Sequence, residues 1–265
     1  MKRIISFFMA LVMSFMFFGC GQKQAPDAPG VQDKYIEKIK QSGVFRVGVV
    51  LDGQMPMTFA SEDFSVQGFD KDLSEKLKEK IFGNDLRIQF VPVTEDNKAE
   101  FFKNDKADII LDRSVSVEDA DVIYSENYIK DKLVMVSKEE YKKEDLENLK
   151  AGALNRGEAI KFCQKNKINS LVTFVEYVDL LGALDDKMVD CVVMSGLTYK
   201  YFLLNGLEDT VSFDIGEEEL YAICMPKEAE GLKKAVDSAL EEFFNDKSME
   251  DMANKWFGRS DCLVR

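Results

Sequence analysis

The 265-residue chain carries a formal net charge of −13, with 48 acidic against 35 basic side chains. This balance disfavours nucleic acid as a partner, because phosphate binding needs a basic surface. The absence of histidine excludes His-dependent catalytic triads and His-ligated metal sites. We expect neither a metal nor a cofactor.

The first 19 residues have the composition of a secretion signal. Lys2 and Arg3 precede an apolar segment, residues 4–18, which is short for a transmembrane helix but suits a signal peptide. The segment ends in Gly19 and Cys20, which resemble a lipoprotein processing site. Cys20 would then become the lipid-bearing N-terminus; an ordinary signal peptide with an incidental cysteine is the alternative.

Residues 20–34 form a predicted lipid-anchored, flexible tether. They carry Pro26, Pro29 and Gly30 and show no apolar periodicity. Because one acyl chain anchors a protein only weakly, firm attachment requires more than one. We therefore expect export, with the lipid anchor holding the chain at the outer face of the cell membrane or in the periplasm.

The next hundred or so residues alternate between strand and helix patterns. Leu73, Leu77 and Ile81 recur at four-residue spacing behind Asp70, a candidate N-cap, and Gly83 closes this helix. A βαβα rhythm of this kind predicts an open α/β sheet. The predicted strands are residues 44–51, 86–90 and 107–111, and the predicted helices are residues 35–41, 70–83 and 97–104.

The rhythm continues through the second half of the chain and ends in two amphipathic helices. The predicted strands are residues 133–136, 151–154, 171–174, 189–194 and 221–225. The predicted helices are residues 144–149, 157–166, 177–184, 197–204, 229–244 and 249–256.

Several short motifs, in this order and spacing, resemble the extracellular solute-binding proteins of family 3. Those proteins deliver polar amino acids to ABC importers. The motifs are Arg-Val-Gly-Val-Val-Leu-Asp at residues 46–52, Met-Pro-Met-Thr-Phe at 55–59, Gly-Phe-Asp-Lys-Asp-Leu at 68–73, Phe-Val-Pro-Val at 90–93, Asp-Ile-Ile at 108–110, Tyr-Ser-Glu-Asn-Tyr at 124–128 and Lys-Trp-Phe-Gly at 255–258.

The resemblance implies a monomer with the two-lobed periplasmic-binding-protein type II fold. A mixed open sheet would lie in each lobe, and hinge crossings would lie near residues 128–131 and 220–222. Lobe 1 would comprise residues 35–128 and 221–265, and lobe 2 residues 129–220. A small polar solute would bind between the lobes, and ABC permease subunits would be the protein partners.

Candidate cleft residues follow from strand ends, independently of the family. Ligands of open α/β sheets bind beyond the carboxyl ends of the strands. The candidate positions are those just after Val50, Val91, Leu111, Leu154 and Met194. They are Asp52, Glu95, Asp112, Arg113, Ser114, Val115, Ser116, Asn155, Arg156, Gly157, Glu158 and Ser195.

Two residues that hold an α-amino acid in the resembling proteins have no counterpart here. An arginine usually binds the carboxylate as a charge-assisted pair, but the matching run, residues 114–120, places Asp119 or Ala120 there. An aspartate usually binds the ammonium group after the strand at residues 189–194, where this chain has Ser195. Both zwitterion anchors are therefore predicted to be missing.

Arg113 and Arg156 are the candidate replacements for the missing arginine. Arg113 directly follows the strand at residues 107–111. Arg156 precedes Gly157 at a predicted helix N-terminus, where backbone N–H groups also favour an anion. The alternative for each arginine is a structural ion pair, with Asp112 or Glu158 for example.

A cationic solute is the other possibility for the cleft. Asp52, Glu95, Asp112 and Asp119 would concentrate negative charge there. Phe59 and Tyr124 could add cation–π contacts. The alternatives are that Asp112 and Asp119 cap loops and turns, and that Phe59 and Met57 belong to the cleft wall or core.

Three further functions are alternatives to a role in transport. The same fold resembles cyclohexadienyl dehydratases, in which Glu95 or Glu158 would serve as acid or base; a cleft poor in arginine suits a dianionic substrate badly. The chain could instead present its solute to a signalling receptor, or it could have lost amino-acid binding and serve an interaction role. We expect a binding protein without enzymatic activity.

Four cysteines lie beyond residue 20, at positions 163, 191, 224 and 262. Cys191 and Cys224 fall in apolar strand patterns, where a reduced, buried thiol is the usual state. An exported protein could also form a disulfide, and the sequence leaves the pairing open.

Overall fold

The computed structural model describes residues 34–50, 55–61, 65–94, 97–112 and 120–265. The predicted signal peptide, Cys20 and nearly all of the tether lie outside the described residues. The elements in chain order are α1 (Lys34–Ser42), β1 (Val44–Val50), β2 (Phe59–Ala60), β3 (Val66–Gln67), α2 (Phe69–Phe82), β4 (Arg87–Val93), α3 (Lys98–Lys103), β5 (Ile109–Asp112), β6 (Val122–Tyr124), β7 (Ile129–Asp131), β8 (Leu133–Ser137), a 3-10 helix (Lys143–Asn148), β9 (Lys150–Leu154), α4 (Gly157–Lys165), β10 (Ser170–Phe174), α5 (Tyr177–Asp185), β11 (Cys191–Ser195), α6 (Gly196–Leu204), β12 (Val211–Asp214), β13 (Glu219–Pro226), α7 (Glu230–Asn245) and α8 (Ser248–Phe257).

The first sheet has the strand order β4-β1-β5-β13-β6, and β7 also pairs with β13. Strands β4, β1 and β5 are parallel, whereas β13 is antiparallel to its neighbours. Side chains of α1, α2, α7 and α8 cover one face, and α3 packs on the other. We call this sheet with these helices lobe 1. Coverage on both faces explains why β1 and β5 are almost continuously apolar.

The second sheet has the strand order β10-β9-β11-β8-β12. Strands β10, β9 and β11 are parallel, and β8 is antiparallel to β11 and β12. Helices α5 and α6 contribute to the core on one face, and α4 with the 3-10 helix to the core on the other. We call this sheet with its helices lobe 2. The parallel strands of each sheet therefore end at one edge, which is where a ligand is expected.

The chain passes between the two sheets through β7 and β13, which pair antiparallel to each other. We call these two strands the hinge. The C-terminal residues pair with the other edge of β7: the Lys130 N–H donates to the Cys262 carbonyl oxygen at 2.8 Å, and the Val264 N–H to that of Tyr128 at 3.2 Å. The first hinge strand is therefore bonded along both edges.

The predicted open α/β architecture is confirmed, but the predicted N-cap of α2 is wrong. Gly68 precedes the helix, and Asp70 is a buried residue of its first turn that accepts a hydrogen bond from Thr58 Oγ1. The reason is close packing, since a Cβ at Gly68 would lie 2.1 Å from the Met57 carbonyl oxygen. The Asp70 N–H donates to that same oxygen at 3.0 Å, which fixes residues 56–59 against the helix.

Smaller differences concern short elements. The helix predicted at residues 144–149 is a 3-10 helix, and the short strands β6, β7 and β12 were not predicted. A strand of three or four residues carries too few alternations to stand out from a loop. Within the described ranges, none of the helices is both long enough and apolar enough to cross a bilayer.

Candidate functional site

A small cavity lies at the carboxyl edge of the lobe 2 sheet, between the ends of β9 and β11. The volume of this cavity is about 10 Å³, roughly enough for one water molecule. Two of the predicted site residues, Arg156 and Ser195, face it together. The full lining is Leu133, Leu154, Arg156, Ala159, Tyr177, Val193, Met194 and Ser195.

Arg156 stands at the α4 end of this cavity, where β9 turns into the helix. Its Nη1 donates to the Val175 carbonyl oxygen at 2.6 Å, and its Nη2 lies 3.9 Å from the Glu176 carboxylate. About a third of the side chain is exposed. These contacts orient the guanidinium along the β10–α5 turn, and its partial exposure leaves the group within reach of solvent.

The N-terminus of α4 lies directly beside Arg156. Gly157 is the first helical residue and has a φ of +76°, and the side chain of the N-cap residue, Arg156, makes no capping hydrogen bond. The first N–H groups of a helix carry partial positive charge and favour an anion. Glu158, also a predicted site residue, pairs with Lys161 at 2.7 Å along the helix. The end of α4 therefore combines a guanidinium with backbone donors.

Ser195 stands at the α6 end of the cavity and is tightly engaged. Its hydroxyl donates to Asp131 Oδ2 and, as the N-cap of α6, accepts from the Thr198 N–H at 3.3 Å. Serine is a favoured N-cap because its oxygen can accept such a bond. The structure thus places Ser195 at the predicted cavity edge, with its hydroxyl used inside the protein.

Asp131 is the residue that sequence reasoning missed. Besides Ser195, its carboxylate accepts from the Lys132 N–H at 2.8 Å, the Leu197 N–H at 3.1 Å and the Tyr221 hydroxyl at 3.2 Å. Burial raises the pKa of Asp131 above its usual value, against the opposing effect of these donors. The only sequence signal was a lone acidic residue at a predicted hinge crossing.

Gly196 makes room for this carboxylate. A Cβ there would lie 3.1 Å from both Asp131 Oδ1 and the Lys132 carbonyl oxygen. The network ties the first hinge strand to the second through Tyr221, and to lobe 2 through the start of α6. A carboxylate therefore lies next to position 195 even though that position itself holds serine.

Phe59, a predicted ligand contact, belongs to β2 and packs against two other aromatic rings. Its ring centroid lies 6.2 Å from that of Tyr201 and 6.0 Å from that of Trp256. Tyr201 is part of lobe 2, so this cluster crosses between the lobes. The Phe59 ring is therefore engaged by side chains of both lobes, and its role as a ligand contact or as part of the cleft wall stays a prediction.

The lobe 1 half of the predicted site falls outside the described residues. The strands β1, β4 and β5 end at Val50, Val93 and Asp112, and the predicted residues follow directly. The backbone of Asp112 pairs with Ala222 in the sheet. The predicted residues outside the described part are Asp52, Glu95, Arg113, Ser114, Ser116 and Asp119.

The titratable groups of the described residues give no sign of a metal centre. In the ranges that the structure covers, no three cysteine, aspartate or glutamate side chains are grouped to hold an ion. The cysteines at 163, 191, 224 and 262 are buried free thiols. Burial raises the pKa of Cys163 to about 11 and that of Cys191 to about 12.

Comparison with known proteins decides the family. Residues 45–259 match the bacterial extracellular solute-binding proteins, family 3. The chain belongs to this family. The match includes the described strands of both sheets, apart from the first residue of β1, and both hinge strands.

Individual relatives are distant. The ABC transporter glutamine-binding protein GlnH of Bacillus subtilis (strain 168) is 23% identical over 277 residues, which covers 97% of either chain. Among solved structures, an ancestral cationic amino acid solute-binding protein has a TM-score of 0.73 at 20% identity, covering 84% of this chain and 99% of that one. A substrate-binding protein of a Streptococcus pneumoniae ABC uptake transporter, with bound histidine, has a TM-score of 0.68 at 22% identity, covering 88% and 99%. These structures confirm the two-lobed fold.

Proposed function

We propose that this family member is the solute-binding component of an ABC importer and captures an amino-acid-like or cationic small polar solute between its lobes. The observation that carries the proposal is the family match, which runs through both sheets and both hinge strands. A relative that spans nearly the whole chain is named as an ABC transporter glutamine-binding protein. The protein acts by binding and closing, and no chemical step is assigned to it.

The α4 end of the lobe 2 cavity would hold the carboxylate of such a solute. Arg156 and the N-terminus of α4 offer a guanidinium and backbone N–H groups at one place. Charge-assisted hydrogen bonds of this type are the strong ones. Glu158, one residue further along, is paired with Lys161 and is less suited to meeting the solute.

The ammonium group of the solute would lie toward lobe 1 and the α6 end of the cavity. Ser195 replaces the expected acidic residue, and the nearby Asp131 has its two oxygens occupied by four donors. Its negative charge still favours a cation nearby, because buried charges are poorly screened. The acidic residues Asp52, Glu95 and Asp119 would supply the direct contacts, with Arg113 as a second candidate for the carboxylate.

The proposal also includes export and lipid attachment. Residues 1–19 would direct secretion, Cys20 would carry the lipid, and residues 20–34 would let a monomeric binding unit reach the permease. Metabolic labelling with a palmitate analogue tests this part directly. Incorporation that disappears in Cys20→Ser supports lipidation at this residue, whereas incorporation that persists places the lipid elsewhere or refutes the assignment.

A thermal-shift panel tests solute binding. The protein is produced from residue 21, unfolded and refolded to remove carried-over solute, and mixed with neutral, acidic and basic amino acids, polyamines and quaternary amines. A solute at a hundred times its Kd adds about 2.7 kcal/mol of stability, which shifts Tm by several degrees. A shift with amino acids supports the proposal, and a shift with cationic compounds alone assigns the cationic class. No shift with any compound argues that binding of such solutes has been lost.

A further inference from the structure

Helix α6 contacts both lobes. Its sequence, Gly-Leu-Thr-Tyr-Lys-Tyr-Phe-Leu-Leu, is apolar on nearly all sides, a pattern typical of a helix that is buried from more than one direction. Tyr199 packs in the core of lobe 2, whereas Leu197, two residues earlier, packs in the main core of lobe 1. The helix therefore belongs to lobe 2 by its strand connection and to both lobes by its packing.

A buried hydrogen bond joins α6 to Met55, which precedes β2. Thr198 Oγ1 donates to the Met55 carbonyl oxygen at 2.5 Å, and Thr198 is only 1% exposed. Met55 in turn packs against the core of lobe 2. Lobe 1 thus packs the Met55 side chain against the core of lobe 2, and lobe 2 packs the Leu197 side chain in the core of lobe 1. The hydrogen bond from Thr198 to Met55 adds a polar contact at the same place.

An aromatic contact continues the same interface. The Tyr201 ring centroid lies 6.2 Å from that of Phe59 and 6.5 Å from that of Trp256, within the range of favourable ring pairs. Trp256 is held in place by a hydrogen bond from its Nε1 to Asp72 at 2.7 Å. At the end of the helix, Leu204 is so close that a Cβ at Gly258 would lie 2.8 Å from it.

The start of α6 is fixed to the hinge. The Leu197 N–H and the Ser195 hydroxyl both donate to Asp131 in β7. The helix is therefore anchored at the hinge, and its contacts with lobe 1 begin at Leu197 and continue along its length. Contacts of this kind separate when two hinged bodies move apart, so they contribute free energy to the joined arrangement alone.

We propose that α6 is an inter-lobe clasp in which Thr198 and Tyr201 act as positioning residues that set solute affinity without touching the solute. The inference rests on the proposed solute binding. Apparent affinity scales with the population of the binding-competent arrangement. Loss of a clasp contact therefore weakens binding even when the residues that contact the solute are unchanged.

The experiment uses the full chain in detergent. Thr198→Val keeps the shape and removes the donor, Tyr201→Ala removes the ring, and Tyr201→Phe retains it. Tyr199→Phe is the matched control, because the Tyr199 hydroxyl contacts Thr210 within lobe 2. Binding of L-glutamine, L-arginine and L-histidine is measured by calorimetry, and acrylamide quenching of the single tryptophan is measured without solute.

For Thr198→Val and for Tyr201→Ala we expect Kd to rise about tenfold, with Tyr201→Phe and Tyr199→Phe close to wild type. Quenching of Trp256 should increase in Thr198→Val, which leaves the neighbours of the indole intact. Unchanged Kd together with unchanged quenching overturns the clasp, even though the wild type binds solute. If the wild type binds none of the three probes, the quenching result alone decides the clasp, and the proposed function is in question separately.

Discussion

The two ends of the lobe 2 cavity use polar groups in opposite ways. At the α4 end, Arg156 is about a third exposed and its ion-pair distance of 3.9 Å is long. At the α6 end, Asp131 is buried and accepts hydrogen bonds from four donors of the protein itself. A loosely held charge can be redirected to a solute at little cost, whereas a saturated buried network fixes geometry. This difference supports the proposal that the α4 end recognises the solute, while the α6 end has a positioning role.

The largest expected effect is at the α6 end. Asp131→Ala leaves four donors without their acceptor, and we expect the free energy of unfolding to fall by about 3 kcal/mol. Urea denaturation measures it. Asp214→Ala is the control: Asp214 pairs with Lys132 at 3.7 Å on the surface, so its loss should cost less than about 0.5 kcal/mol. Equal effects of the two variants would contradict the positioning role.

The ionisation of Asp131 gives a pH-dependent signature. Because burial raises the pKa of Asp131 in the folded state, its stabilising contribution is complete below about pH 4 and is lost as the pH rises through the folded-state pKa. The free energy of unfolding of the wild type, relative to Asp131→Asn, should thus fall with rising pH, at up to about 1.4 kcal/mol per pH unit. Paired urea titrations from pH 4 to 7 measure this difference. A difference that grows with pH would mean that the hydrogen-bond donors lower the pKa of Asp131 by more than burial raises it.

At the α4 end the expected effect is on binding. Arg156→Ala should weaken binding of the amino acid found by the thermal-shift panel about tenfold or more, because a charge-assisted contact to its carboxylate is lost. The free energy of unfolding should change by less than about 1 kcal/mol, as expected for a partly exposed pair. Calorimetry measures the change in solute affinity, and urea denaturation measures the change in the free energy of unfolding of the same variant. Unchanged affinity would transfer the carboxylate contact to lobe 1, with Arg113→Ala as the next variant.

The smallest effect is expected at Glu158. Its pair with Lys161 lies along the surface of α4, so Glu158→Gln should lower the free energy of unfolding by no more than about 0.5 kcal/mol. Its effect on solute affinity should be well below that of Arg156→Ala. A loss of affinity as large as that of the arginine variant would make Glu158 a solute contact and shift the site along the helix.

Long periodic elements were predictable, and short ones were not. The spacing of Leu73, Leu77 and Ile81 located α2, because a buried helix face repeats over several turns. Its first residues were misassigned because tertiary packing at Gly68, rather than an Asp70 cap, decides how the helix begins. Local propensity carries no information about such a contact between distant backbones.

The residues of the candidate site were likewise predictable only in part. Arg156 and Ser195 could be nominated because strand ends are visible in the sequence, and both line one cavity in the structure. Asp131 was missed because its role depends on Tyr221 and Leu197, which are 90 and 66 residues away. The inter-lobe contact between Thr198 and Met55 was equally out of reach, since it is made by a backbone carbonyl that any residue would supply.

The pairing of residues 262–264 with β7 has a practical consequence for handling the protein. Arg265 lies one residue beyond this pairing, and its guanidinium bonds to the Asn245 side chain. A purification tag, fluorophore or surface linkage joined at this position would therefore pull on β7, one of the two strands that connect the lobes. Binding constants for immobilised or fused protein would then differ from those of the untethered chain, so attachment through the N-terminal segment or through an exposed residue of α7 is the safer choice for sensor construction.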